Sequence, residues 1–185
     1  QRNILQVCVE NKNEGNVKIL WTEIVKYFAV QNLPQTFKKL VKQQNRSWKE
    51  NIFHYAANCN KIEVHETLWE LLLKTFEDRD ELKDLILQLD EINNNFVHKL
   101  VKENKNLSII EWTFKNLKEN FSDAQFQEIL TSKQRWEMNL LQNAALWSKV
   151  IEIHQFLWKF FRDFCGTDAK YLEMLKEVDE LGQNI

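Results

Sequence analysis

The four histidines are the residues of this chain best suited to metal binding or acid–base chemistry. They are His54, His65, His98 and His154, and no Cys-x-x-Cys motif lies near any of them to complete a zinc site. The three cysteines are odd in number and form no close pair along the chain, which is typical of free thiols in a reducing compartment: Cys8, Cys59 and Cys165. The cysteine pattern therefore favours a cytoplasmic location.

The carboxylates and the loops give no clearer sign of catalysis or ligand binding than the histidines do. The acidic group between Glu77 and Glu81 lacks the glycine and the alternating oxygen ligands of an EF-hand loop, so we interpret it as the charged start of a helix. Three glycines in 185 residues are too few for a phosphate-binding loop, and no nucleophile stands at a recognisable spacing from a base. We therefore expect neither an enzyme nor a metal or cofactor site.

The composition and the charge pattern indicate which classes of partner the chain is suited to bind. Hydrophobic residues make up 44% of the chain and charged residues 28%, with a formal net charge of -2, which is typical of a folded protein. Because the lysines are spread among acidic residues, the charge pattern indicates a solvated face rather than a nucleic-acid site. No apolar run approaches the roughly 18 residues of a spanning helix, so we expect no direct membrane insertion.

A pattern of about 44 residues recurs along the chain and indicates a repeat array. Asn, two apolar residues and then Gln or His form "NILQ", "NIFH", "NFVH" and "NLLQ" at Asn3, Asn51, Asn95 and Asn139, and "NI" follows at Asn184. The spacings are 48, 44, 44 and 45 residues. We predict one repeat domain over residues 1–185, an excerpt of a longer array, with units 3–50, 51–94, 95–138 and 139–183 and a fifth unit that starts at 184–185.

Three helices are predicted in each unit. The opening Asn is a favoured N-cap, and a Gln or His three residues later can complete a capping box. The second helix carries apolar residues at offsets 0, 3, 4, 7 and 11, which fit a helical period and not a strand: Val17, Leu20, Trp21, Ile24 and Phe28 in the first unit. The third helix is shorter and is anchored in the same unit by Phe37, Leu40 and Val41.

The repeats predict which aromatic residues lie inside. Trp21, Trp69 and Trp158 occupy one position of the second helix and are expected to be buried where neighbouring units meet. An apolar residue before each new Asn is expected to pack at the unit boundary: Trp48, Ile92, Trp136 and Leu181.

The histidines then receive a structural interpretation. His54 and His98 stand at the position that glutamine holds in the other two units, and His65 and His154 stand where the other two units have Val and Ile. A metal ligand or catalytic base would not alternate in this way between equivalent units. We therefore predict that the histidines cap helices and pack between them.

The first two helices of each unit resemble ankyrin repeats. "NIFHYAANCNKIEVHETLWELLL", from Asn51 to Leu73, is similar to the family's Thr-Pro-Leu-His-x-Ala-Ala opening, with His54 at the His, followed by its Glu-Ile-Val-x-x-Leu-Leu helix. The period exceeds the family's 33 or so residues, the Pro is replaced, and a third helix stands where ankyrin repeats have a β-hairpin. The resemblance implies an all-α solenoid; armadillo and HEAT repeats have a similar period and remain the alternative.

The resemblance also implies a function, because ankyrin-like arrays bind partners along their inner helices and the adjoining loops. We expect a protein-binding scaffold whose concave face carries the residues that vary within the constant frame: Tyr55, Asn58, Lys99, Lys102, Asn143 and Trp147. Tyr and Trp are favoured interface anchors. A second interpretation stays open, in which this segment is the regulatory or mechanical repeat region of a larger membrane protein or toxin.

Overall fold

The computed structural model describes residues 1–133 and 137–177. Over these residues the chain forms twelve α-helices and no β-strand, so the predicted all-α class is confirmed. The helices come in four sets of a short, a long and an intermediate helix: α1 (Ile4–Glu10), α2 (Glu14–Val30), α3 (Pro34–Lys42), α4 (Ile52–Ala57), α5 (Ile62–Thr75), α6 (Arg79–Leu87), α7 (Phe96–Glu103), α8 (Leu107–Asn120), α9 (Asp123–Thr131), α10 (Leu140–Trp147), α11 (Ile151–Cys165) and α12 (Asp168–Lys176). The predictions for Trp136, Leu181 and the fifth unit at 184–185 lie outside the described residues.

Each short helix begins at the Asn of the recurring pattern. The Asn side-chain oxygen accepts the backbone N–H three residues later, at 3.0 to 3.2 Å, in α1, α4, α7 and α10. The residue two positions before the cap has a left-handed backbone in three units, with φ of 50° at Lys49, 59° at Asn93 and 57° at Glu137. Because this backbone conformation recurs, α4, α7 and α10 start from the same local geometry.

In the third set Asn95 donates to the Ser132 hydroxyl at 2.7 Å, but in the other three sets the same Asn side chain also closes the set of three helices. Its Nδ2 donates to the end of the intermediate helix, at 2.9 Å from Asn3 to the Leu40 carbonyl and at 2.7 Å from Asn51 to the Leu85 carbonyl. Asn139 makes the equivalent bond to the Met174 carbonyl at 3.3 Å. One amide therefore satisfies an unpaired N–H at a helix start and an unpaired C=O at a helix end.

Corresponding helices of successive sets pack against one another. The short helices contact in the order α1, α4, α7, α10, and the long helices in the order α2, α5, α8, α11. Aromatic pairs bridge the long helices, with Trp69 and Trp112 at 6.2 Å and Phe114 and Phe156 at 5.5 Å between ring centroids. The core therefore runs through the whole row of helices rather than lying within each set.

Three predictions of burial are wrong. Trp21 and Trp69 are buried as predicted, but Trp158 is 47% exposed. No described helix packs over Trp158 as α8 packs over Trp69, and among the described aromatic rings only Tyr171 of the same unit packs against it, 5.5 Å away. Trp48 is 62% exposed, and Ile92 is also exposed.

Trp48 and Ile92 point outward because the loops before α4 and α7 close through their backbones. The Glu91 N–H donates to the Trp48 carbonyl at 2.7 Å, and the Asn94 carbonyl accepts the Asp90 N–H at 2.9 Å. These polar contacts take the place of the apolar contact that was predicted.

Candidate interaction surface

His54 contacts its own helix cap and the backbone just before the next helix cap, and its Nδ1 lies 2.7 Å from the side-chain oxygen of Asn51. Its Nδ1 lies 3.2 Å from the Asn51 backbone N, and its Nε2 lies 2.9 Å from the Asn94 carbonyl oxygen. The Nε2–H tautomer serves both contacts, because it donates to Asn94 and accepts from Asn51, so we assign that tautomer. Burial lowers the pKa of His54 below its ordinary value and that of His98, in the same position of the next unit, to about 4. Both rings are therefore neutral at pH 7.

The second pair of histidines has a different structural role. Nε2 of His65 lies 2.8 Å from the Cys59 carbonyl oxygen, and Nε2 of His154 lies 3.0 Å from the Ser148 carbonyl oxygen. Each ring binds the loop that joins the short helix to its own long helix. Within residues 1–133 and 137–177 no group of His, Cys, Asp and Glu side chains could hold a metal ion. The four histidines thus serve the helix framework.

Two of the six predicted binding residues belong to one buried polar network. Nδ2 of Asn45 donates to the Tyr55 hydroxyl oxygen at 2.9 Å and to the Glu50 carboxylate at 3.1 Å. The same carboxylate forms an ion pair with Lys99 of the next unit. Burial raises the pKa of Tyr55. The Glu50–Lys99 ion pair joins the loop before α4 to α7 of the third unit. Because Tyr55 and Lys99 are both buried, they offer little surface to a partner.

The structure does not bring Asn58 and Asn143 together, either in one hydrogen-bond network or in one pocket of the described residues. Asn58 is exposed at the C-terminal end of α4. Asn143 is fully buried within α10, and its amide has no hydrogen-bond partner among the described residues. Of these two, only Asn58 is open to a binding partner.

Besides Asn58, the accessible residues of the predicted surface are Lys102 and Trp147, and these two contact each other. The Lys102 ammonium nitrogen lies 4.6 Å from the centroid of the Trp147 ring, and Trp147 is 39% exposed. This cation–π contact joins the end of α7 to the end of α10. The two residues stand in neighbouring units, so packing of the short helices creates the pair.

A cleft of about 430 Å³ opens beside this pair, which we call the Lys–Trp cleft. It is lined by the α7–α8 and α10–α11 loops: Lys102, Glu103, Asn104, Lys105, Trp147, Ser148, Lys149 and Val150. Lys105 and Lys149 are exposed, and their ammonium groups form no ion pair within the described part of the chain. Three lysines against one glutamate give the cleft a positive potential, and Trp147 gives it an apolar wall.

The sequence contained a signal for this cleft that was not used. Lys61, Lys105 and Lys149 each stand ten residues after the opening Asn of their unit. The three lysines lie in the loops that follow α4, α7 and α10, and Lys105 and Lys149 line the Lys–Trp cleft. Their recurrence at one position of the repeating pattern was therefore a signal that randomly spread lysines would not give.

None of the helices in the described residues combines the length and the apolar character that a bilayer crossing requires. Comparison of the chain with protein-family models, with curated protein sequences and with solved structures finds no match.

Proposed function

We propose that the four units stack as an ankyrin-like solenoid and that this solenoid is a scaffold which binds another protein. The serial contacts of the short helices and of the long helices support this arrangement. The recurring Asn caps and their bonds to the intermediate helices support the equivalence of the units. In this proposal the chain catalyses no reaction, because each histidine side chain contacts a helix cap or a loop and holds it in place.

The Lys–Trp cleft is the place where the partner binds, and its composition carries the proposal. A half-exposed Trp ring provides an anchor of the kind that dominates binding energy at interfaces. The ammonium groups of Lys105 and Lys149, which pair with no carboxylate of the described residues, favour negative charge beside that anchor. The matching partner segment has an apolar side chain flanked by Asp or Glu residues.

The six predicted binding residues then divide into two roles. Lys102, Trp147 and the exposed Asn58 contact the partner. Tyr55, Lys99 and Asn143 are buried, and they fix the short helices on which the contacts stand. A surface held in place before binding loses less side-chain entropy when the partner docks.

A display selection with random linear peptides tests this function directly. Peptides selected on the wild-type chain are expected to contain acidic residues beside an aromatic or aliphatic one. Trp147→Ala combined with Lys105→Glu and Lys149→Glu should weaken the best peptide at least about tenfold, since an anchor and two attractive charges are lost. Fluorescence anisotropy measures the affinity.

The matched control changes charge elsewhere on the chain. Lys115→Glu with Lys118→Glu alters two exposed lysines of α8, and this variant should bind the peptide as the wild type does. Circular dichroism establishes that both variants fold. Selected peptides without acidic residues, or equal affinity for both variants, would refute the cleft as the binding site.

A further inference from the structure

A second cleft, of about 500 Å³, opens between the long helices α8 and α11. Its apolar lining consists of Leu107, Phe156 and Phe160, all of which are partly buried. The two phenylalanine rings pack against Phe114 of α8, at 5.5 and 4.9 Å between centroids, and lie 5.7 Å from each other. We call this cleft the Phe cleft. Because α8 and α11 contact each other, the packing of two neighbouring units creates it.

The aromatic lining of the Phe cleft is not a requirement of helix packing. Phe156 and Phe160 stand two and six residues after the start of the apolar stripe of α11. Helix α5 has Thr67 and Leu71 at these two positions and still packs on α2. No other long helix has two aromatic residues there. The pair of rings is therefore a feature of this cleft that the helix framework does not explain.

The charged residues around the two rings are mostly acidic. The cleft is lined by the carboxylates of Glu111, Glu152 and Asp163 and by the ammonium group of Lys159. All four side chains are exposed, and none of them forms an ion pair with another described residue. Three negative charges against one positive charge give the Phe cleft a negative potential, opposite in sign to that of the Lys–Trp cleft.

The chain already uses a ring and a carboxylate together to hold cations. The ammonium nitrogens of Lys38 and Lys42 lie 5.5 and 5.4 Å from the centroid of the Phe76 ring. The Glu81 carboxylate pairs with the same two nitrogens at 2.6 and 3.3 Å. A cation over an aromatic face gains from the negative charge density of the ring as well as from a nearby carboxylate. The Phe cleft offers the same two groups to a cation from outside the chain.

We propose that the Phe cleft binds a segment of a partner protein that places an arginine side chain on the Phe156 and Phe160 rings. A planar guanidinium stacks on an aromatic face and donates two parallel hydrogen bonds to a carboxylate, which the compact ammonium of lysine does not do. Carboxylates of both helices line the cleft, Glu111 from α8 and Glu152 and Asp163 from α11. This site goes beyond the proposed function, because it shares no lining residue with the Lys–Trp cleft and takes a segment of the opposite charge.

A peptide display selection on a chain with a disabled Lys–Trp cleft tests the proposal by itself. The bait carries Trp147→Ala, Lys105→Gln and Lys149→Gln, so a failure of the proposed function leaves this test intact. Random linear peptides selected on this bait are expected to contain arginine. Replacing that arginine by citrulline, which has a similar shape and no charge, should weaken binding at least about tenfold. Fluorescence anisotropy measures the affinity.

Two further variants of the bait separate the charge of the Phe cleft from its rings. Glu111→Gln, Glu152→Gln and Asp163→Asn together remove the negative charge at nearly constant shape, and they should weaken the best peptide at least about tenfold. Phe160→Leu keeps an apolar side chain but removes one ring, and it should weaken the same peptide about threefold through the lost cation–π contact.

The matched control removes three carboxylates of the second unit. Glu66→Gln, Glu70→Gln and Glu77→Gln alter exposed residues and change the net charge by the same amount, so this variant should bind the peptide as the bait does. Circular dichroism establishes that all variants fold. Selected peptides without arginine, equal affinity of the arginine and citrulline forms, or equal affinity of the Phe-cleft carboxylate variant and the control would overturn the proposal.

Discussion

The residue three positions after the opening Asn has the same task whether it is Gln or His. Gln6 and His54 both accept the cap N–H, at 2.9 and 3.2 Å, and both donate to the carbonyl that precedes the next Asn, at 3.1 and 2.9 Å. An amide and a neutral imidazole each supply one acceptor and one donor at this distance. Gln and His therefore alternate at this position because both meet the same hydrogen-bonding requirement, and neither catalysis nor metal binding is needed to explain the alternation.

Histidine at this position makes stability depend on pH in a way that glutamine does not. The pKa of His98 is about 4 in the folded chain and about 6.5 in an unfolded chain. The folded state therefore prefers the neutral ring. Its full contribution to stability is present above about pH 6.5 and is lost as the pH falls through the range down to about 4.

We predict that His98→Gln reduces the loss of stability between pH 7.5 and pH 5, two values that bracket most of this titration. The wild type should lose about 2 kcal/mol more than the variant at pH 5, because its unfolded state binds the proton and its folded state does not. Urea unfolding followed by circular dichroism at the two pH values measures the difference. Gln142→His, which introduces the ring in the fourth unit, should add a similar loss; parallel pH profiles for all three proteins would contradict the assignment.

At the scale of elements, the long helices gain their stability from neighbours in other units. The Trp69 ring packs against Phe53 of its own unit and against Trp112 and Phe121 of the next. The Trp158 ring packs against Tyr171 alone among the described aromatic residues. Equal residue types at equal positions therefore bury different amounts of surface.

Replacing Trp69 and Trp158 by alanine, one at a time, should show how much each ring contributes to the free energy of unfolding. Trp69→Ala is expected to lower the free energy of unfolding by about 3–5 kcal/mol, the usual range for a buried aromatic residue. Trp158→Ala should cost less than about half as much, because its ring is already partly in water. Chemical denaturation followed by far-ultraviolet circular dichroism measures both.

Trp48→Ala is the control, because it shows how much stability changes when a mostly exposed tryptophan is removed. The Trp48 side chain is mostly exposed, so its removal should change stability by no more than about 0.5 kcal/mol. Equal losses for Trp69 and Trp158 would show that both rings are covered in solution.

At the scale of the whole molecule, the middle of the chain is covered on both sides and the two ends on one side. Helices α4, α5, α7 and α8 each contact a helix of the preceding set and one of the following set, whereas the sets α1 to α3 and α10 to α12 each have a neighbouring set on one side among the described residues. Local opening is easiest where fewer buried contacts must break.

Hydrogen exchange should therefore be slowest in α5 and α8 and faster in α2 and α11. Mass spectrometry of peptic fragments, at a concentration where the chain is monomeric, measures this gradient. Uniform protection across all four long helices would contradict the gradient.

The sequence by itself determined the helices, their caps and the structural role of the histidines. These features depend on groups a few residues apart, such as the Asn51 side chain and the His54 N–H, or on apolar residues at helical spacing within one element. The recurrence of the pattern every 44 or so residues then defined which positions are equivalent.

Only the tertiary structure decided which of the equivalent positions are open. Tyr55 and Lys99 are buried because Asn45 and Glu50 reach them from the loop before α4, and Trp158 is exposed because no described helix covers it. Lys102 meets Trp147 because α7 packs on α10. Each of these outcomes depends on contacts between segments that are distant in sequence or belong to different units, and a pattern within one unit does not contain that information.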